Sequence, residues 1–289
     1  MSVQVHPPLA LYESGQRQYN EDYLYPPLAK IEPDGQPKLF IVCDGVGGAV
    51  RGEEASRLVA ETMGQCLENR PSIEDTDILQ ALRLAEAALD EFVQDNEDAE
   101  GMATTLAALF LHESGAIAIH VGDSRVYQIR KGEIKFRTRD HSLVNELIES
   151  KTITEEEARY HPSRNVVSRA VMSSKKPARA DIAHLEDVQA DDYFLLCSDG
   201  VLESCSDGQL AEWMSLKTLS NTEIMELIKQ ACQQHSRDNY SAWLIQIQRG
   251  TKAERPPSNS EQEQSNGLWE QMNTAFSKII TPKTNNRNR

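Results

Sequence analysis

The sequence predicts an α+β protein in which antiparallel strands and pairs of helices occupy separate stretches of the chain. Two amphipathic helices are expected in succession, over residues 53–69 and 75–94, because apolar side chains recur there at helical spacing. From Gly101 the pattern changes to short apolar runs separated by turns, which is typical of antiparallel strands. No segment of 20–50 residues repeats along the chain, which argues against a solenoid.

Composition and charge narrow the range of partners. The 289 residues contain 30 Lys and Arg against 45 Asp and Glu, a formal net charge of −15, which argues against nucleic acid or an anionic membrane as partner. The five cysteines are scattered and never form a Cys-x-x-Cys pair, so neither a disulfide framework nor a zinc site is indicated. The first residues lack a signal-peptide pattern, and no 18 apolar residues run together. We therefore expect a protein of the reducing cytoplasm.

The first strong strand prediction covers residues 40–43, a run of apolar residues that stops at Asp44. Glycines follow at positions 45, 47 and 48, where they permit a close approach of a cation or a phosphate to the backbone. A lone Asp-Gly pair after a strand is more often an ordinary turn. Upstream, residues 12–25 form a short strand-like segment that carries Arg17 and Asp22.

Downstream of the two helices, four strands are expected over residues 104–111, 117–121, 126–129 and 134–138. We predict that they form an antiparallel meander. The tetrad Gly122-Asp123-Ser124-Arg125 interrupts it, and a charge inside a buried sheet requires a partner.

Residues 142 to about 175 form an insertion with a short helix and a second helix that Thr154 and Glu157 open as a capping box. A flap over a site and an ordinary surface excursion are equally compatible with this pattern. Strands over 182–188 and 193–197 come next, and the second of them leads into Ser198-Asp199-Gly200. This stretch reproduces the earlier strand that ended at Asp44.

The last part of the predicted domain contains a helix over 209–216 and another that starts at Ser220. Ser220 and Glu223 are expected to form a capping box there. Asp238 precedes a final strand over 243–247. We assign residues 1–249 to one domain and the Pro-, Ser- and Gln-rich residues 250–266 to a flexible linker. Residues 267–289 form a tail with a possible short amphipathic helix, either a docking peptide or a disordered end.

Five acidic residues stand at strand ends or tight turns: Asp22, Asp44, Asp123, Asp199 and Asp238. Taken singly, each acid is more often a cap, a turn residue or a solvated side chain. Carboxylates are the ligands that Mg²⁺ and Mn²⁺ prefer, and the absence of neighbouring His or Cys disfavours zinc. Two such ions about 4 Å apart can activate a shared water and clamp a phosphoryl group. Arg17 suits the same chemistry, because a guanidinium binds two phosphate oxygens at once.

Seven short motifs, spread over about residues 12–248, resemble in content and order those of the metal-dependent PP2C-type serine/threonine protein phosphatases of bacteria. They are Arg17-x-x-Asn20-Glu21-Asp22, Asp44-Gly-Val-Gly-Gly48 with Gly52-Glu-x-Ala-Ser56, Gly101-x-x-Thr104-Thr105, Gly122-Asp-Ser-Arg125, Asp140-His-Ser-Leu143, Ser198-Asp-Gly200 and Asp238-Asn239. The resemblance implies a four-layer α-β-β-α sandwich of two antiparallel sheets flanked by helix pairs. It also implies that a metal-activated water hydrolyses phosphoserine and phosphothreonine on proteins, in opposition to a bacterial Ser/Thr kinase.

The resemblance further implies a role for each acid. Asp44 would bridge two Mn²⁺ or Mg²⁺ ions and so position the nucleophilic water, while Gly45 would offer its backbone carbonyl to one ion. Asp199 and Asp238 would bind the second ion, and Asp22 would act directly or through water.

A third, weaker ion is implied at Asp123 together with Asp199, and phosphate binding is implied for Arg17. Val46 departs from the family, because bacterial relatives usually have Met and animal relatives His at this position. No side chain at position 46 can therefore protonate the leaving alkoxide, which leaves that task to metal-bound water. The segment Val171-Met-Ser-Ser174 replaces a Gly-containing segment and touches no implied ligand.

Two other functions stay open on sequence grounds. A phosphoprotein-binding module or inactive relative would need a missing ligand, and the implied set is complete. A small-molecule phosphohydrolase on the same fold would differ only in its substrate. We expect phosphorylated proteins as substrates and a monomeric protein.

Overall fold

The computed structural model describes residues 3–31, 35–46, 51–163 and 166–251. The strands are β1 (Gln4–Val5), β2 (Leu9–Glu13), β3 (Asp22–Tyr25), β4 (Leu39–Asp44), β5 (Leu106–His112), β6 (Gly115–Val121), β7 (Arg125–Arg130), β8 (Glu133–Arg137), β9 (Asp181–Leu185), β10 (Tyr193–Cys197) and β11 (Tyr240–Arg249). The helices are α1 (Gly52–Leu67), α2 (Asp75–Asp95), α3 (Leu143–Glu149), α4 (Glu155–Arg159), α5 (Asp199–Leu202), α6 (Asp207–Trp213) and α7 (Asn221–His235). Short 3₁₀ turns cover Leu28–Lys30 and Glu97–Ala99.

The strands form two antiparallel sheets. The first has the order β1-β11-β10-β7-β8, and β2 also pairs with β11. The second has the order β3-β4-β5-β6-β9. One apolar core lies between the sheets, a second joins the β3-to-β9 sheet to α1 and α2, and a third joins the other sheet to α5, α6 and α7. The predicted four-layer α-β-β-α sandwich is therefore confirmed.

Burial on both faces explains the continuous apolar runs of the central strands. In β4, Ile41 and Cys43 face the α1 and α2 core, whereas Phe40 and Val42 face the opposite sheet. The ring of Phe40 meets that of Trp243 edge-on at a centroid distance of 5.5 Å. Truncating a buried aromatic side chain of this kind to Ala costs about 3–5 kcal/mol. The run therefore holds the end of β4 in a rigid position.

The prediction of one continuous meander is wrong at a single connection. Strands β5 and β6 pair within one sheet, whereas β7 and β8 pair within the other, so the chain changes sheets between Val121 and Arg125. Gly122 makes this change with a φ of +106°, where a Cβ atom would lie 2.7 Å from the Thr105 side chain. Only glycine fits such a backbone without strain.

Among the other sequence-based predictions, some are confirmed and some are wrong. The capping boxes at Thr154 and Ser220 are present. Strand β2 was missed, β11 is longer than expected, and Asp199 opens a short helix rather than a plain turn. The linker from residue 252 and the 267–289 tail lie outside the described residues. Within the described ranges, no helix has the length and apolarity to cross a membrane.

Candidate active site

Two of the predicted site residues face each other across neighbouring strands. Asp22 opens β3, Asp44 closes β4, and the two are directly paired in register. Two residues just before β5 hold the backbone of Asp44. The Asp44 carbonyl accepts from Thr105 N–H and from the Thr104 hydroxyl, each at 2.8 Å, and the Asp44 N–H donates to Thr105 Oγ1 at 3.0 Å. The β4 end therefore presents the Asp44 carboxylate from a rigid support.

Gly45 lies where the chain leaves β4 and passes against α1. Its N–H donates to the Glu21 carbonyl at 3.1 Å. A Cβ atom at this position would lie 2.6 Å from the backbone of Gly52, the first residue of α1. The close approach of strand end and helix therefore requires glycine at position 45, while a Cβ on Gly52 would be a tight contact at 3.1–3.2 Å.

The second sheet contributes two more acids. Asp199 follows β10 and opens α5, and Asp238 precedes β11. The carboxyl groups of Asp199 and Asp44 lie close enough for each to shift the pKa of the other, so the acids from the two sheets meet. Gly200 lets the loops approach, because a Cβ there would lie 2.0 Å from the Asn239 carbonyl oxygen.

The acids raise one another's pKa. Burial raises the pKa of Asp22 and of Asp123 to about 7 and that of Asp199 to about 6, and the charges of neighbouring acids add to each shift. Burial together with the charge of Asp22 raises the pKa of Asp44 well above its usual value. Carboxyl groups with such pKa values lack sufficient positive charge around them.

One carboxylate oxygen of Asp22 also lacks a partner. Its Oδ2 accepts from the Ser198 hydroxyl at 2.9 Å. Its buried Oδ1 makes no well-formed hydrogen bond among the described residues, although the nearby Ser241 hydroxyl partly offsets the rise in the pKa of Asp22. A buried polar atom without a partner is costly unless something else binds it. The orphaned oxygen and the crowded carboxylates fit oxygen-binding divalent cations such as Mn²⁺ or Mg²⁺.

Arg17 lies beside this cluster and is half exposed. Its guanidinium donates to Asp238 Oδ2 at 2.7 Å, and this contact raises its pKa further. The loop before it has a left-handed Gly15, where a Cβ atom would lie 2.2 Å from the Asp238 carbonyl oxygen. The structure thus brings all seven predicted site residues to one region, with Arg17 at its exposed side.

Asn239 holds the Arg17 loop and was not among the predicted site residues. Its Nδ2 donates to the carbonyls of Ser14 and Tyr19 at 2.9 Å each, and its Oδ1 accepts from Glu21 N–H at 2.9 Å. Ser198 was likewise missed, although it bonds Asp22. Both residues are polar, buried and next to a predicted ligand in sequence, which is the signal that could have found them.

A second polar cluster lies under the connection between β6 and β7. Atoms of His120, His141 and Asp181 that could bind a metal lie within 4.8 Å of one another. The two imidazole rings have a centroid distance of 4.1 Å. No sequence pattern predicted this group, because its members come from two strands and the start of the insertion.

Comparison with known proteins identifies the class. The sequence profile of the protein phosphatase 2C family matches residues 14–247. The chain belongs to this family. Two curated relatives are similar over most of this chain: serine/threonine protein phosphatase PstP of Mycobacterium tuberculosis, 31% identical over 235 residues, and serine/threonine phosphatase stp of Listeria innocua, 28% identical over 228 residues.

The coverage of the two relatives differs. The match to PstP includes 80% of this chain but 43% of PstP, whereas the match to the Listeria protein includes 76% of this chain and 89% of that protein. A crystal structure of the PstP catalytic domain in complex with two manganese ions has a TM-score of 0.69 and 27% identity. That similarity covers 84% of this chain and 99% of the PstP domain.

Proposed function

We propose that this protein is a metal-dependent phosphatase that hydrolyses phosphoserine and phosphothreonine in proteins. The observation that carries the proposal is the meeting of buried and partly buried, mutually repelling aspartates from two sheets beside one half-exposed arginine. Family membership and the names of the relatives support the same function.

The aspartates would hold two Mn²⁺ or Mg²⁺ ions. Asp44 would bind both ions, because it pairs in register with Asp22 of its own sheet and is near Asp199 of the other sheet. Asp238 would join Asp199 on the second ion, and Gly45 would offer its carbonyl to one ion. When bound, the two ions lower the pKa of a shared water and offset the negative charge on the phosphoryl group.

The remaining assignments follow from position and charge. Asp123, whose pKa rises through burial and the charge of Asp199, would join Asp199 at a third, weaker ion. Arg17 would turn from Asp238 to the phosphoryl oxygens, which it can bind in pairs. Val46 donates its N–H to the Ala103 carbonyl and has no side-chain proton to give a leaving group.

The physiological setting is also part of the proposal. Phosphorylated substrates of a bacterial Ser/Thr kinase would suit the relatives' names. The five cysteines are all free, and the net charge is −15, which supports a cytoplasmic location without nucleic-acid or membrane partners. The monomeric state stays a prediction, which light scattering on a sizing column would test.

Hydrolysis of an aryl phosphate and of a phosphothreonine peptide tests the proposal. We expect turnover that requires Mn²⁺ or Mg²⁺, stops with a chelator and is lost in Asp199→Asn. Turnover that is indifferent to metal would refute the proposed site. Faster turnover of free sugar or nucleoside phosphates than of phosphopeptides would instead identify a small-molecule phosphohydrolase.

A further inference from the structure

Two buried histidines hold the peptide group that leads into Asp123. The carbonyl of Gly122 accepts two hydrogen bonds, from the backbone N–H of His141 at 2.7 Å and from the side-chain Nε2 of His120 at 2.9 Å. The N–H of Gly122 donates to His141 Nδ1 at 3.1 Å. Since the Gly122 carbonyl and the Asp123 N–H belong to one planar peptide group, these bonds set the direction in which the chain enters Asp123.

The protonation of both rings is determined by these contacts. Burial and the neighbouring ring lower the pKa of His120 to about 4, and burial lowers the pKa of His141, so both rings are neutral near pH 7. His120 must carry its proton on Nε2 to donate to the Gly122 carbonyl. His141 accepts on Nδ1, and its proton therefore lies on Nε2, facing Asp181 Oδ2 at 3.2 Å.

This arrangement does not suit a metal ion, although the distances among His120, His141 and Asp181 would allow one. A metal on His141 Nε2 would require the ring proton on Nδ1, which already accepts from the Gly122 N–H. Arg169 Nη1 also lies 3.2 Å from His141 Nε2. Since both atoms carry protons, Arg169 donates instead to Asp181 Oδ1, also at 3.2 Å, and its positive charge opposes a cation here. Instead, His120 and His141 bond to the Gly122 peptide, and Asp181 contacts His141. We call these three side chains the histidine support.

The histidine support also contacts Ser168 and Arg169, near the C-terminal end of the predicted flap. Ser168 N–H donates to the His141 carbonyl at 2.8 Å, and Arg169 binds Asp181. His141 thus contacts the end of the flap directly through its backbone, and indirectly through Asp181, while it holds Gly122. Gly122 itself has a φ of +106° and could adopt several conformations without these contacts.

We infer that His120 and His141 are positioning residues for Asp123, and that through His141 the end of the flap influences the metal site to which Asp123 contributes. The inference rests on the proposed function, since it assigns Asp123 to the weakest ion. Neither histidine touches an ion or the substrate. Each acts on the Gly122 peptide, and that peptide orients the carboxylate.

Two pairs of variants separate the hydrogen bonds from simple packing. His120→Gln keeps a donor near the position of Nε2, and His141→Asn keeps an acceptor near the position of Nδ1, whereas His120→Leu and His141→Leu remove these atoms. Electron paramagnetic resonance counts Mn²⁺ bound to the protein without reference to activity. We expect the leucine variants to bind the weakest Mn²⁺ about tenfold less tightly, as for other outer-shell changes. The Gln and Asn variants should regain most of that affinity.

The link to Asp123 is tested by a double-mutant cycle. In an Asp123→Asn background the weakest site is already lost, so His120→Leu should cause no further change in Mn²⁺ binding or in the Mn²⁺ concentration for half-maximal turnover. Equal weakening of all ions, or an unchanged weakest site in every single variant, would overturn the inference. Failure of the unaltered protein to bind Mn²⁺ or to hydrolyse phosphopeptide would refute the proposed function instead.

A third variant avoids the buried rings if the leucine variants do not fold. Asp181 is an exposed residue, and Asp181→Ala leaves the His141 Nε2–H without its acceptor. We expect a weakening of about twofold to threefold that is confined to the weakest ion, below the range for outer-shell partners because the Gly122 contacts stay intact. An unchanged weakest site in this variant would argue against coupling to the flap end.

Discussion

Strand β10 has an aspartate near each end, Asp192 fully buried and Asp199 partly buried, and the two have opposite surroundings. Asp192, before the strand, accepts from Gln128 Nε2 at 2.9 Å, from Gln189 N–H at 2.9 Å and from Arg130 at 2.6 and 2.8 Å. Asp199, after the strand, meets other carboxyl groups, and burial together with the charge of Asp238 raises its pKa to about 6.

The comparison indicates that Asp192 stabilises the fold, whereas Asp199 is available to bind a ligand. Asp192 is removed from water and receives four donors and a full counter-charge, whereas Asp199 is only partly buried. Asp199 shares its region with Asp22, Asp44 and Asp238, while the nearby cation, Arg17, contacts Asp238. A buried acid without adequate donors costs stability, and such a cost is typical of functional sites. The following predictions test this contrast, from the largest expected effect to the smallest.

Asp44→Asn should abolish metal-dependent turnover, by at least about 10³-fold, because outer-shell changes alone cost about 10–100-fold and Asp44 is assigned to both ions. Mn²⁺ titration of phosphopeptide hydrolysis measures the effect. The same variant should unfold at a higher temperature than the unaltered protein in chelator, since it removes an acid whose pKa burial and neighbouring charges raise in the folded state. Retention of full turnover would remove Asp44 from the site.

Asp192→Asn should lower the free energy of unfolding by about 3 kcal/mol, because it leaves the mostly buried Arg130 without its main counter-charge. Urea unfolding followed by circular dichroism measures the change. The folded variant should keep its turnover per molecule. A stability unchanged by the substitution would contradict the structural role of Asp192.

The metal-free protein should lose stability as the pH rises from 5 to 8. The folded-state pKa values of Asp22, Asp123 and Asp199 lie above the usual unfolded value, so the folded protein binds more protons between about pH 4 and 7, and stability falls as these groups ionise. The loss is at least about 2 kcal/mol, because a single group with a folded-state pKa near 7 contributes about 1.4 kcal/mol per pH unit between pH 5 and 7. Thermal unfolding in chelator at several pH values measures it.

Two controls belong to the pH experiment. Added Mn²⁺ should remove most of the loss, because it supplies the missing positive charge. Asp199→Asn should flatten the pH dependence, whereas Asp187→Asn, at an exposed acid that pairs with Arg130, should not. A metal-free protein that becomes more stable from pH 5 to 8 would contradict the raised pKa values.

Arg17→Ala should raise KM for a phosphopeptide about tenfold, equivalent to about 1.4 kcal/mol, the lower end for hydrogen bonds to charged groups. Mn²⁺ binding should not weaken, because the substitution frees Asp238 from its ion pair. Arg17→Lys keeps the charge but not the paired hydrogen bonds and should recover only part of the affinity. Steady-state kinetics together with Mn²⁺ titration distinguish these outcomes.

Local patterns explain most of what could be predicted about the fold. The strands that end before Asp44 and Asp199 were identified because burial on both faces produces uninterrupted apolar runs. The capping boxes at Thr154 and Ser220 were identified because their partners are three residues apart. The β6-to-β7 connection was predicted wrongly, because the sheet that a strand joins depends on distant strands and not on its own residues.

The sequence by itself determined where acids would stand at strand ends, and the order of its short motifs indicated the family. Tertiary structure decided which acids meet. Asp22 and Asp199 are 177 positions apart, yet the Ser198 hydroxyl beside Asp199 bonds Asp22. The same holds for His120 and His141, whose contact with Gly122 no pattern indicated. Local patterns follow from spacing along the chain, whereas pKa shifts and hydrogen bonds depend on distances in space, which only the packed sheets establish.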